Sequence, residues 1–120
     1  MFWKKKLDAK SDLPWEELIE ESQLISINEL SKETPVLIFK HSTRCSISFM
    51  AKSRFEGGYE ESNISLWLLD LIRFRNVSNR IAEEYSVRHE SPQVLLIKDG
   101  KCIYSASHNA IDFRSVKNEL

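Results

Sequence analysis

Three short, unbroken apolar runs limit what this chain can become: Val36-Leu37-Ile38-Phe39, Leu66-Trp67-Leu68-Leu69 within Ile64 to Ile72, and Val94-Leu95-Leu96-Ile97. Runs of this length suit strands buried on both faces. Asp99-Gly100 directly follows the third run and is a strong hairpin signal, so Lys101 to Ser107 reads as an antiparallel partner strand. Between the first and second runs, Cys45 to Phe55 fits a helix. Ile47, Met50, Ala51 and Phe55 give it an apolar stripe, and Gly57-Gly58 ends it. Between the second and third, Ser78 to Tyr85 reads as a helix turning Ile81, Ala82 and Tyr85 inward. Asn109 is placed to cap a last helix from Ala110 to Leu120, with Ile111, Val116 and Leu120 buried.

Upstream, the spacing of Trp15, Leu18 and Ile19 predicts a short helix from Trp15 to Ser22, with Asp12 or Pro14 near its start. Gln23 to Ser26 fits a short strand. Ser26 and Glu29 have capping-box spacing, which predicts a brief helix over Ile27 to Lys32, ended by Pro35. Residues 1–12 read as a loose polar lead and residues 13–120 as a single domain. The order is β-α-β-α-β-β-α after a helical lead. A hairpin beside two crossover units implies an α/β fold: a thioredoxin-like three-layer sandwich, its mixed central sheet covered by helices on both faces.

Composition narrows the function. Apolar residues make up 42% of the chain, enough for a packed core. A net charge of −1 gives no general electrostatic reason to bind nucleic acid or an anionic membrane. No apolar run approaches the ~18–20 residues that span a bilayer. The basic start, Met1 to Lys6, lacks the apolar stretch of a secretory signal, so the expected location is the cytoplasm. Two cysteines, Cys45 and Cys102, make no disulfide framework, and a reactive thiol must be argued from its surroundings.

Cys45 has such surroundings. In His41-Ser42-Thr43-Arg44-Cys45-Ser46-Ile47-Ser48 it follows a buried strand and opens a helix. A helix N-terminus carries unpaired N–H groups and about half a positive charge, which favours a thiolate, the form that attacks disulfides. Arg44, Lys40 and His41 lie close in sequence and add positive charge. Ser48 stands three residues on, on the same helix face, where a dithiol protein needs its resolving cysteine. A serine can hydrogen-bond the thiolate but cannot form the second sulfur bond, so the chemistry stops at a mixed disulfide that an outside thiol must release. The opposing reading is a small buried hydrophobe, the usual state of a free cysteine.

His89-Glu90-Ser91-Pro92-Gln93 leads into the third strand. Proline belongs at a strand's first residue, where no ladder N–H is needed. A thioredoxin-like site requires this bond to be cis, turning the backbone of Ser91 towards an extended thiol substrate. If Pro92 faces Cys45, the hairpin lies at the far end, and Cys102 is ~20 Å from the site end at ~3.3 Å per residue. A disulfide needs Cα atoms within about 7 Å, so Cys102 reads as an ordinary strand residue. The returning strand brings His108 and Asn109 beside the Cys45 end. No histidine–cysteine spacing resembles a zinc motif, and no glycine-rich phosphate loop is present.

FKHSTRCSIS (39–48), SPQVLLIKDG (91–100) with the preceding HE, and SHNAI (107–111) together resemble the monothiol bacilliredoxins, thioredoxin-like proteins linked to the small thiol bacillithiol. The resemblance runs from about Trp15 to the C-terminus. It implies that Cys45 attacks mixed disulfides between client proteins and bacillithiol, takes over the bacillithiol, and is regenerated by a second bacillithiol molecule. Bacillithiol is then a co-substrate, with no bound cofactor or metal. The partners are this small thiol and thiolated client proteins. Cys45, Ser48 and Arg44 form the candidate catalytic group; His41, His89, Ser91, Pro92 and His108 are the candidate substrate contacts. Basic Lys40, Arg44 and Arg88 are candidates to meet the carboxylates of an anionic thiol. Family members often carry proline after the cysteine, where this chain has Ser46. Thioredoxins carry a buried acid in the strand before the site, where this chain has Phe39. Two other readings stay open: glutaredoxin-like exchange with glutathione or another small thiol, and a non-catalytic thioredoxin-like module that binds or senses redox state.

Overall fold

The strand Val36–His41 is buried along its whole length, which demands cover on both faces and a partner on each edge. The computed structural model, which describes residues 13–120, supplies both. The lead expected over residues 1–12, and Asp12 as a helix start, lie outside the described residues. The elements are β1 (Glu16–Glu17), α1 (Gln23–Leu30), β2 (Val36–His41), α2 (Ser46–Gly57), β3 (Ser65–Asp70), α3 (Arg75–Tyr85), β4 (Gln93–Lys98), β5 (Lys101–Ser107), a 3-10 turn (His108–Ala110) and α4 (Phe113–Lys117). The sheet order is β1-β3-β2-β4-β5. β1 and β2 run parallel to β3, and β4 runs antiparallel to both β2 and β5. This is the expected mixed sheet in a thioredoxin-like three-layer sandwich.

Alternation along β2 divides the core. Val36 and Ile38 pack with Leu24 and Ile27 of α1 and with Val77 and Ile81 of α3. Leu37 and Phe39 pack with Ala51 and Phe55 of α2 and with Phe113 and Val116 of α4. On this second face Phe39 and Phe55 meet edge to face at 6.0 Å, and Phe55 meets Phe113 at 5.8 Å. Each buried aromatic contributes roughly 1.5–3 kcal/mol by leaving water. The β4–β5 hairpin turns on Asp99 (φ 53) and Gly100 (φ 73), the two positive angles of a type I′ turn. The turn is pinned to the end of α1: Asp99 N–H donates to the Ser31 carbonyl at 2.9 Å and Gly100 N–H to Ser31 Oγ at 2.8 Å.

Four expectations change. The region read as a helix, Trp15 to Ser22, contains edge strand β1 and a turn instead. Gln23 to Ser26 is helical rather than a strand, and Ser26 lies inside α1 rather than capping it. The cause is Gln23, whose Oε1 accepts from Ile19 N and Glu20 N at 2.7 and 2.9 Å while its Nε2 donates to the Glu17 carbonyl. That closes the turn at which α1 starts. On α2, Ile47 and Met50 are 54% and 65% exposed, and the buried stripe is Ser48, Ala51 and Phe55. The final helix is shorter than Ala110 to Leu120 and is capped by Asp112, whose carboxylate accepts from Ser115 N at 2.9 Å. Asn109 lies in the 3-10 turn, and Leu120 is 51% exposed.

β5 carries one irregularity. Leu96 pairs with Tyr104, but Ile97 pairs with Cys102, so Ile103 is an extra residue in the ladder. A bulge resets which side of the sheet the following residues face. Cys102 packs with the α1/α3 side, and Tyr104 and Ala106 with the α2/α4 side.

Candidate active site

β2 ends at His41, and the chain turns at once. Cys45 N–H donates to the Ser42 carbonyl at 3.2 Å, closing the turn. Cys45 is extended (φ −123, ψ 120), while its carbonyl accepts from Ser48 N at 3.1 Å and Phe49 N at 3.2 Å. It is therefore the N-cap of α2, with a half-exposed side chain and no side-chain cap on the first-turn amides. An N-cap position is the place on a helix where first-turn amides and the helix dipole face an attached side chain. Arg44 is exposed in the same turn.

Ser48 is fully buried one turn along. Its Oγ accepts from Ser42 N at 2.9 Å and lies 2.6 Å from His41 Nδ1. The hydroxyl is thus engaged by His41 and Ser42, rather than bonded to Cys45 as the sequence suggested. His41, expected as a substrate contact, is buried, its ring edge-on to Phe49 at 4.6 Å. Burial holds its pKa below the ordinary histidine value, with a further push from the Lys52 charge; Asp70 and Glu56 pull the other way. The two leading causes both disfavour the charged imidazolium.

Lys40 departs from expectation most. It is fully buried on the α1/α3 side and meets no outside carboxylate. Its Nζ donates to the Ser78 carbonyl at 3.2 Å and lies 3.3 Å from His89 Nδ1. Ser78 Oγ lies 3.2 Å from the same ring nitrogen. Burial pulls the Lys40 pKa down to about 8. Burial, with Lys40 next, keeps His89 below its ordinary value. A lysine donor requires His89 Nδ1 to be the acceptor, so the ring's hydrogen sits on Nε2.

The Ser91–Pro92 bond is cis, as a thioredoxin-like site requires. Gln93 holds the preceding loop, donating from Nε2 to the Arg88 carbonyl at 2.9 Å and accepting from Glu90 N at 3.4 Å. Lys40 pairs with Gln93 and Gln93 with Ser107, so the cysteine turn, the Pro92 corner and the end of β5 share one end of the sheet. His108 closes the group: its N–H donates to the Pro92 carbonyl at 3.2 Å, and its own carbonyl accepts from Arg54 Nη2 at 2.8 Å. Its side chain is exposed and its φ is 55°. Sequence reasoning missed the bracing by Gln93, Arg54 and Ser78. Gln93 was the one visible signal, a polar residue heading an apolar strand.

Cys102 stands beside the hairpin turn, paired with Ile97. Its thiol donates to the Tyr104 carbonyl at 3.3 Å, and burial pushes its pKa up, partly offset by backbone hydrogen bonds. Both cysteines are free. Among the described residues no group of three or more His, Cys, Asp or Glu side chains is placed to hold a metal ion. A cleft of about 350 Å³ opens beside the site, with His41, Thr43, Lys52 and Asp70 in its wall.

A half-exposed cysteine at a helix start, on this five-stranded mixed sheet, places the chain among thiol–disulfide redox proteins of the thioredoxin fold. Solved structures agree on the fold. A thioredoxin-fold protein assigned by inference as an oxidoreductase matches with TM-score 0.76 at 28% identity, covering 86% of this chain and 90% of that one. Thioredoxin of Malassezia sympodialis matches with TM-score 0.67 at 13% identity, covering 87% and 85%. Thioredoxin of Trypanosoma brucei brucei matches with TM-score 0.68 at 10% identity, covering 88% and 86%. The family model "Monothiol bacilliredoxin BrxC" matches residues 16–116, and the chain belongs to that family.

Proposed function

We propose that the protein removes bacillithiol from client proteins by a one-cysteine mechanism. The Cys45 thiolate attacks the bacillithiol sulfur of a protein–bacillithiol disulfide. A new disulfide forms between Cys45 and bacillithiol, the old one breaks, and the client sulfur leaves as a thiolate that takes a proton from water. A second bacillithiol thiolate then attacks the bacillithiol sulfur held on Cys45. This releases bacillithiol disulfide and restores Cys45. Bacillithiol serves as co-substrate, without a bound cofactor, and the reducing cytoplasm suits the cycle.

One observation carries the reading: the helix position three residues after the nucleophile holds a fully buried serine, so Cys45 has no sulfur partner on its own helix. Arg44 and the exposed His108 are the side chains offered to the small thiol, and the backbone of Ser91 to an extended client. The test incubates reduced protein with a client carrying bacillithiol, and separately with one carrying glutathione, and follows adduct transfer by mass spectrometry. Transfer of bacillithiol to Cys45 at a rate at least tenfold above glutathione is expected. Equal rates would replace the bacillithiol reading by general small-thiol exchange. No transfer of either would leave a non-catalytic module.

A further inference from the structure

Ser48 Oγ has a single hydrogen to give. It already accepts the Ser42 N–H, and the 2.6 Å contact with His41 Nδ1 takes that hydrogen when the imidazole is an acceptor. Cys45 lies one helical turn back from Ser48, at the spacing that brings two side chains onto one helix face. A hydrogen given to the imidazole cannot also be given to the sulfur.

We propose that His41 is a positioning residue for Cys45: at rest it holds the Ser48 hydroxyl hydrogen, and on taking a proton it releases that hydrogen to the sulfur. The inference rests on Cys45 being the reacting sulfur. When a solvent proton binds Nδ1, Nδ1–H donates to Ser48 Oγ, and the O–H, with no covalent bond broken, turns towards Cys45. The adjoining cleft, with His41 in its wall, gives water a route to the ring. The charged groups facing the imidazole are Lys52 and Glu56 of α2, which pair with each other at 2.8 Å, and Asp70 at the end of β3. As pH falls through the imidazole's titration, Cys45 gains a hydrogen bond that favours its thiolate, so nucleophilicity persists further into acid than the cysteine alone would allow.

The experiment follows iodoacetamide alkylation of Cys45 from mildly acid to alkaline pH, with no small-thiol substrate present, in a Cys102→Ser background. The expected curve has two steps, the lower one coinciding with the pH at which the His41 ring-nitrogen NMR shifts change. Ser48→Ala keeps the upper step and loses the lower, reacting about tenfold more slowly at the acid end, the order expected for a hydrogen bond to a charged group. In the unaltered chain, NMR at neutral pH should show the His41 hydrogen on Nε2. A lower step that survives Ser48→Ala would mean direct charge coupling and overturn the proposal. So would a hydrogen on Nδ1 at neutral pH, which needs no variant to observe. A Cys45 reacting in one step overturns this inference alone, whereas a Cys45 that never alkylates overturns the proposed function as well.

Discussion

Replacing Lys40 by methionine should make the protein more stable at neutral pH and less stable at high pH. The Lys40 ammonium is fully buried. Among the described residues it has no carboxylate partner, only the Ser78 carbonyl and His89 Nδ1. Burial lowers its pKa from 10.5 to about 8. The unfolded chain thus holds this proton more tightly than the folded one, which costs the folded state about 3 kcal/mol at neutral pH. The sign is fixed by which state loses its proton first. The penalty is complete below pH 8, fades as pH rises towards 10.5, and is absent above, because only the folded lysine deprotonates within that window. Methionine keeps the apolar stem and removes the charge, and its loss of two hydrogen bonds costs about 1 kcal/mol each. The net gain at neutral pH is about 1 kcal/mol. Near the top of the window only the hydrogen-bond loss remains, and Lys40→Met becomes less stable by about 2 kcal/mol. Urea unfolding followed by tryptophan fluorescence at neutral and alkaline pH measures both differences. A variant destabilised at neutral pH, or a difference that does not change sign with pH, would refute the account of Lys40 as an uncompensated buried cation.

Ser46 is the first residue of α2, where proline's missing N–H costs nothing, so Ser46→Pro should raise stability by about 0.4–1 kcal/mol in thermal melts. A lower melting temperature would show that the turn geometry excludes it. Ser48→Cys places a second sulfur on the Cys45 face, and oxidation should remove two hydrogens in an intramolecular disulfide seen by mass spectrometry; an oxidised variant that forms only dimers would contradict the helix placement. Cys102→Ser should leave exchange rates within about twofold, since Cys102 faces the other side of the sheet, and a larger loss would place it in the reaction. His41 and His89 both have lowered pKa values, so stability should fall as pH drops below 6.5, where the unfolded chain takes up protons first. His89→Gln should flatten that slope in pH-dependent melts, and an unchanged slope would assign the loss to carboxylates.

The strands were legible because burial on both faces leaves an unbroken apolar signature, and Asp99-Gly100 fixed the hairpin by its backbone angles. Cys45 was legible because strand, turn and helix start occur in order around it. The first elements were not. β1 pairs for two residues with β3, some fifty positions away, and the spacing of Trp15, Leu18 and Ile19 mimics a helix. α1 owes its start to a glutamine side chain that closes the preceding turn, which no period reveals. The buried face of α2 was misread because its first position is a serine, buried for its hydrogen bonds rather than for apolar area. Lys40 hid for the same reason: a cation in an apolar strand looks like a surface residue until its partners, Ser78 and His89, are brought in from distant segments.

The single added residue at Ile103 has a chemical consequence. It turns Cys102 onto the α1/α3 side of the sheet, which adds the sheet itself to the strand length already separating the two thiols. An adduct on Cys45 therefore has no route to Cys102 within one molecule. Any bond joining the two kinds of cysteine must therefore link two molecules.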